Sequence, residues 1–338
     1  MSLAGIPAEA APLVDVRNLS VRFPVASTGL FSRARSYVHA VEDVSFSIGR
    51  GETLGLVGES GSGKSTTGRA ILRSTPIASG RVSFDGNDIT DVTGAALRAL
   101  RRNMQLVFQD PYASLNPRMN VLEIVSEPLI VHGIASSVDE ASPIVADLLS
   151  RCGLPSDALT RYPHAFSGGQ RQRIGIARAL ALQPKFIVAD EPVSALDVSV
   201  RAQVVNLLQD LQRDMGISYL FIAHDLSVVR HISHRIGILY SGHLVEYAPT
   251  NNVYESPIHP YTEALLSSVP IPDPAVQRKR GRIVLQGEIP NPIDPPAGCR
   301  FASRCPLVED RCRVETPRLE EKAPGHFAAC FVRSANTQ

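Results

Sequence analysis

The eight residues Gly58-Glu59-Ser60-Gly61-Ser62-Gly63-Lys64-Ser65 constrain this chain more than any others. They match G-x-x-x-x-G-K-[ST] and stand between an apolar run, Thr53 to Val57, and a helix-forming stretch, Ser65 to Arg73. Glycines there let backbone N–H groups turn inward around phosphates, where a side chain would collide. The helix that follows presents its positive end to the same anion. The pattern assigns Lys64 to the β- and γ-phosphates of a nucleoside triphosphate and the Ser65 hydroxyl to Mg²⁺. Gly58 through Thr66 are therefore the candidate nucleotide-binding residues. No Asn-Lys-x-Asp element for reading guanine is visible, which argues against a GTPase.

The rest of the chain fits an α/β core of the P-loop NTPase type. Val14 to Phe23 and Val41 to Ile48 alternate apolar and polar residues, as half-buried antiparallel strands do. Pro24 to Ser36 between them reads as an irregular loop. Arg81 to Phe84 with Asp85-Gly86 is a strand and turn, and Met104 to Phe108 a further strand. From Ala113 to about Arg161 the pattern is helical, with interruptions. Phe186 to Ala189 and Tyr219 to Ala223 are short continuous apolar runs, typical of central parallel strands. Ile236 to Leu239 and His243 to Tyr247 form a hairpin around Ser241-Gly242. After about Thr250, closely spaced prolines imply a small loop-rich appendage joined by the basic run Arg278-Lys279-Arg280. The expected domains are 1–250, with a helical subdomain at about 113–180, and 251–338.

Two further motifs narrow the chemistry. Phe186-Ile187-Val188-Ala189-Asp190 is an apolar strand ending in a carboxylate, suited to the hydration shell of Mg²⁺. Glu191, one residue on, can orient and deprotonate an attacking water. Ser167-Gly168-Gly169-Gln170-Arg171 opens the helical stretch Gln172 to Leu182, a second anion-binding helix end. The two phosphate-binding ends lie roughly a hundred residues apart in sequence. One ATP is held by both only if a second copy supplies the other half.

The Ser-Gly-Gly-Gln element upstream of Asp190-Glu191 resembles the signature of ABC-type ATPases. That resemblance implies roles for three more residues: Gln109 as the glutamine switch near Mg²⁺, Asp197 of Ser194-Ala195-Leu196-Asp197 at the dimer interface, and His224 as the γ-phosphate switch. It also implies an aromatic stacked on adenine, Phe23 as first choice and Tyr37 as second. Arg161 to Ile174, Pro192 to Gln203, Pro111 to Pro117 and His259-Pro260-Tyr261-Thr262 are similar to the dipeptide/oligopeptide importer ATPases, and the motif order to their F-type subunit. The implied partners are a second, homologous ATPase subunit, two membrane permease subunits and an extracytoplasmic binding protein. A soluble accessory subunit of the carbon–phosphorus lyase type is the alternative.

Charge and cysteine use bound these readings. Lys plus Arg number 34 and Asp plus Glu 33, a net charge of +1, which gives no reason to expect a nucleic-acid partner. Met1 to Val14 lacks a basic n-region, and no run approaches the ~20 apolar residues of a membrane span. The expectation is a cytoplasmic chain that meets the inner face of the membrane through its permease partners. Four of the five cysteines, Cys299, Cys305, Cys312 and Cys330, cluster at the C-terminal end with spacing C-x₅-C-x₆-C-x₁₇-C. Spacing alone leaves metal ligands and free thiols even. The importer resemblance implies a [4Fe–4S] cluster, with Zn²⁺ as the alternative, and Cys152 reads as a separate buried thiol.

Overall fold

The computed structural model describes residues 11–25, 36–270 and 281–333. The centre of the Pro24 to Ser36 loop and the run Arg278-Lys279-Arg280 lie outside the described residues. The chain forms two compact units, one from residues up to 49, 53–90 and 223 onward, the other from 50–52 and 91–222.

The first unit begins with β1 (Val14–Pro24) and β2 (Tyr37–Ile48), paired antiparallel. The apolar alternation of β1 slips by one residue between Val16 and Leu19. A register shift there, with Asn18 at φ 50°, restores Leu19 and Val21 to the buried face. Fully buried β3 (Thr53–Val57) then feeds the phosphate loop, which opens α1 (Lys64–Ile71). β4 (Ser79–Phe84) pairs with β1 and carries the short β5 (Asn87–Asp88), giving a four-stranded antiparallel sheet in the order β2-β1-β4-β5.

The second unit starts with α2 (Gly94–Arg101) and β6 (Met104–Val107). The expected helical region resolves into α3 (Val121–Val131), α4 (Val138–Arg151) and a 3₁₀ turn at Ser156–Thr160. Asn120 and Glu123 form a reciprocal capping box that fixes the start of α3, and Ser137 caps α4. α5 (Gly168–Leu180) leads to β7 (Phe186–Asp190), α6 (Val198–Met215) and β8 (Ser218–Ala223). β6 and β8 both run parallel to β7, which is buried along its whole length. Residues just beyond the carboxyl ends of these strands are placed for ligand chemistry.

The chain returns to the first unit with α7 (Leu226–Ile232), β9 (Arg235–Tyr240) and β10 (His243–Pro249). Ser241 (φ 44°) and Gly242 (φ 84°) both take the left-handed conformation of a two-residue hairpin turn. β9 runs parallel to β3. The C-terminal prolines space short elements rather than preventing them: α8 (Thr250–Glu255), α9 (Pro260–Ser267), α10 (Asp310–Val314), β11 (Glu320–Ala323) and β12 (His326–Ala328). β12 pairs with β10, so the strands of this unit continue β3-β9-β10-β12-β11. The buried Glu246 carboxylate anchors the junction, accepting from the Ile258 and His259 N–H groups at 2.8 and 2.9 Å and lying 2.6 Å from His326 Nε2. Burial lowers the pKa of His259 to about 4, and its neutral Nδ1 accepts from the Tyr261 N–H, capping α9.

Candidate functional site

The phosphate loop is shaped by what its glycines touch. A Cβ on Gly58 would lie 2.1 Å from the Leu239 carbonyl oxygen, and one on Gly63 2.3 Å from that of Ala40. Gly63 also holds φ 103°, closed to side chains. Gly61 sits at φ 79° but faces open space. The loop is bonded internally, Ser62 N–H donating to Glu59 O at 3.1 Å, and externally, Gly242 N–H donating to Ser62 O at 2.9 Å. Buried Lys64 crosses the loop and donates to the carbonyls of Gly58 and Glu59 at 2.9 and 3.0 Å. At the start of α1 there is no side-chain cap and no acidic residue in the first turn. Most helix starts are completed by a side-chain oxygen; this one keeps its positive end for an anion. The buried Ser62 hydroxyl has no hydrogen-bond partner among the described residues. Ser60 is exposed, Ser65 and Thr66 half-buried.

Three more of the expected residues belong to this unit. His224 is exposed immediately after β8. Phe23, 40% exposed, and Tyr37 occupy adjacent register pairs at the open end of the β1–β2 ribbon, Phe23 opposite Val38 and Tyr37 opposite Pro24.

In the second unit, residues far apart in sequence meet at the strand ends. Asp190 closes β7 and is buried. Glu191 follows at φ 46°, a left-handed conformation costing a non-glycine residue about 1–2 kcal/mol. Its N–H donates to Ile222 O, its carbonyl accepts from Ser194 Oγ and the Ser194 N–H, and its carboxylate accepts from Gln109 Nε2 at 2.9 Å. Gln109, two residues past β6, is thus joined to Glu191 despite 82 residues of separation. Such strain persists where the surroundings over-determine it, characteristically at functional sites.

Ser167 caps α5, accepting from the Gln170 N–H, while Gln170 Oε1 accepts from the Ser167 N–H. A Cβ on Gly169 would strike Val200 at 2.2 Å, so only glycine lets α5 approach α6 this closely; Gly168 has 3.5 Å of clearance. Asp197 caps α6 by accepting from Val200 N–H and Ser199 Oγ, and the backbone bond leads in lowering its pKa. Tyr112 and Arg171 each lie in a quoted motif but had no role assigned; the Arg171 guanidinium lies 4.0 Å over the Tyr112 ring beside the Ser167 helix start.

The cysteine tail departs from expectation. All four thiols are free and line one small cavity with His259, Phe301 and Ala329. Among the described residues, however, no group of three or more His, Cys, Asp or Glu is arranged to hold a metal ion. Burial pushes the Cys299 thiol up to about 11 and that of Cys305 upward, favouring protonated sulfur. The arrangement therefore gives no support for an iron–sulfur cluster or Zn²⁺. Cys152 is buried and separate, its pKa raised to about 12.

Residues 41–194 match the family model described as ABC transporter, and residues 245–312 that described as oligopeptide/dipeptide transporter, C-terminal region. The oligopeptide transport ATP-binding protein AppF of Bacillus subtilis (strain 168) is 51% identical over 323 residues, 95% of this chain and 98% of AppF. The chain belongs to the ATP-binding proteins of ABC transporters. As a member of that family it is an ATPase, with ATP and Mg²⁺ as its expected ligands. Solved ABC ATPases share its fold. The cassette MJ0796, as a dimer in a post-hydrolysis state with ADP and Pi, superposes with a TM-score of 0.61 at 30% identity, covering 70% of this chain and 98% of its own. CbiO1 of Clostridium perfringens, part of the complex cbiONQ, gives 0.62 at 26% identity over 73% and 92%.

The glycine contacts yield a graded expectation for this ABC ATPase. Gly58→Ala, which drives a methyl into Leu239 O, should weaken MgATP binding at least about tenfold, a loss of ~1.4 kcal/mol or more. Gly61→Ala, with open space around it, should cost less. Calorimetric titration of ATP into both variants checks this, and equal affinities would contradict it.

Proposed function

We propose that this chain is the ATP-hydrolysing motor subunit of an importer of di- or oligopeptides. The observation that carries the reading is the near full-length likeness to AppF, an oligopeptide transport ATP-binding protein, together with the match of the C-terminal region to the oligopeptide/dipeptide transporter model. The carbon–phosphorus lyase alternative is not favoured by either. In this reading residues 1–250 are the nucleotide-binding domain, with a helical subdomain at about 113–180, and 251–338 the importer-specific domain. The partners are a second, homologous ATPase in a heterodimer, two permease subunits and an extracytoplasmic binding protein. No described helix is long and apolar enough to cross a membrane, so attachment to its cytoplasmic face runs through the permeases.

The residues divide the work as follows. Lys64 and the backbone of Gly58 to Thr66 hold the triphosphate, and Phe23 or Tyr37 meets the adenine. Ser65, Gln109 and Asp190 supply oxygen donors of the hard type that Mg²⁺ takes. Glu191 orients the attacking water and accepts its proton, Gln109 sets the angle of that carboxylate, and His224 answers to the γ-phosphate. Ser167 to Gln170 and Asp197 act across the dimer on the partner's nucleotide. ATP closes the pair and hydrolysis reopens it, a two-state switch biased by the nucleotide.

Glu191→Gln should leave ATP affinity within about threefold while lowering turnover about 10²–10⁴-fold, the usual worth of general-base help. Near-normal hydrolysis, measured with the partner site silenced, would remove Glu191 from this role.

The [4Fe–4S] cluster on Cys299, Cys305, Cys312 and Cys330 stays a proposal that rests on the family resemblance alone, since the four thiols share a cavity but are not arranged as metal ligands. Binding would release the protons that burial keeps on Cys299 and Cys305. Protein purified without oxygen should carry iron and acid-labile sulfide in equal amounts. Stoichiometric zinc without iron, or neither metal, would overturn it.

A further inference from the structure

The C-terminal region reaches the phosphate loop at Glu59. Its carboxylate accepts a two-pronged bond from Arg304, 2.9 Å from Nη1 and 3.2 Å from Nη2. Its backbone N–H donates to the Tyr261 hydroxyl at 3.0 Å, and its carbonyl accepts from Lys64. The neighbouring Arg300 donates to the carbonyl of Ser241, whose turn partner Gly242 donates to Ser62 O. Glu59 and Ser62 of the loop are thus tied to elements that follow residue 240.

The supporting side chains are rigid. Tyr261 and Phe301 are fully buried, and with Tyr240 they form a cluster of ring pairs 4.6 to 5.5 Å apart. The Arg304 N–H donates to Phe301 O, and the Arg304 side chain is 10% exposed. A paired, two-pronged arginine–carboxylate contact on such a base fixes both charge and direction.

Glu59 stands in a loop built to receive a triphosphate, so its negative charge opposes the ligand unless it is neutralised. We infer that Arg304 and Tyr261 are positioning residues of the ATP site: Arg304 cancels and turns aside the Glu59 carboxylate, and Tyr261 fixes the Glu59 peptide whose carbonyl Lys64 faces. The inference rests on the ATP-binding reading of the loop and extends it to the importer-specific tail. The tail is therefore part of the nucleotide site and not only an appendage to it.

The test is equilibrium binding of MgATP to the full chain, with thermal melting recorded for each variant. Arg304→Gln should weaken binding about tenfold while the melting temperature stays within a few degrees, and Arg304→Lys should recover part of the loss. Tyr261→Phe, which keeps the ring, should weaken it less. The decisive arm is the Glu59→Gln background: with the charge gone, Arg304→Gln should cost little. Equal losses in both backgrounds, or variants that bind like the unaltered chain, would overturn the inference. If the unaltered chain itself binds no ATP, the ATP reading falls with it.

Discussion

The phosphate loop depends on close backbone approach. Gly58 lies against the carbonyl of Leu239 and Gly63 against that of Ala40, each nearer than any Cβ allows. Those carbonyls come from β9 and β2, so the loop is moulded by two strands remote from it in sequence. The Ser241-Gly242 turn adds a third support by bonding Ser62 O. The first unit can be understood as a means of holding these backbone groups still. β3 brings the loop in, β9 runs parallel to it, and the hairpin that β10 completes presses the turn against the loop.

The second unit solves a different problem, placing one carboxylate. Glu191 sits in a backbone conformation that its side chain disfavours, and the bonds from its N–H, its carbonyl and Gln109 keep it there. A carboxylate on a rigid mount is what general-base chemistry requires, because misplacement of a reacting group by even ~1 Å is costly. α5 and α6 are likewise each fixed at their start by a side chain from their own motif, Ser167 and Asp197.

Much of this was legible in the sequence because the information is local. Gly58 to Ser65 announces its loop through glycine spacing, and the buried runs of β7 and β8 announce central strands. The Ser241-Gly242 hairpin was also readable, since few residue pairs take two left-handed conformations. The helix start at Ser167, and the need for a second copy to complete a site with it, were read from residue types, whereas the interface role expected of Asp197 came from family resemblance. What escaped was non-local. Arg304 lies 245 residues from Glu59, and nothing in either neighbourhood marks the pair. The prolines after Thr250 suggested loops, but β12 joins β10 because Glu246, buried inside, offers partners to His326 and to the start of α9. The cysteine spacing showed that four thiols were grouped; the packing that decides whether they converge as ligands cannot be read from spacing.

The central claim is that this chain carries half of each composite ATP site and that a homologous partner completes it. The direct measurement is steady-state ATP hydrolysis by the chain as the partner ATPase is titrated in, with the partner's own phosphate-loop lysine replaced so that only this chain's loop turns over. The account predicts that the chain alone binds ATP but hydrolyses it slowly. The rate should then rise and saturate with partner concentration, and the rise should vanish when the partner's Ser-Gly-Gly-Gln element is altered. A full rate from the isolated chain at concentrations where it is monomeric, unchanged by the partner, would contradict it.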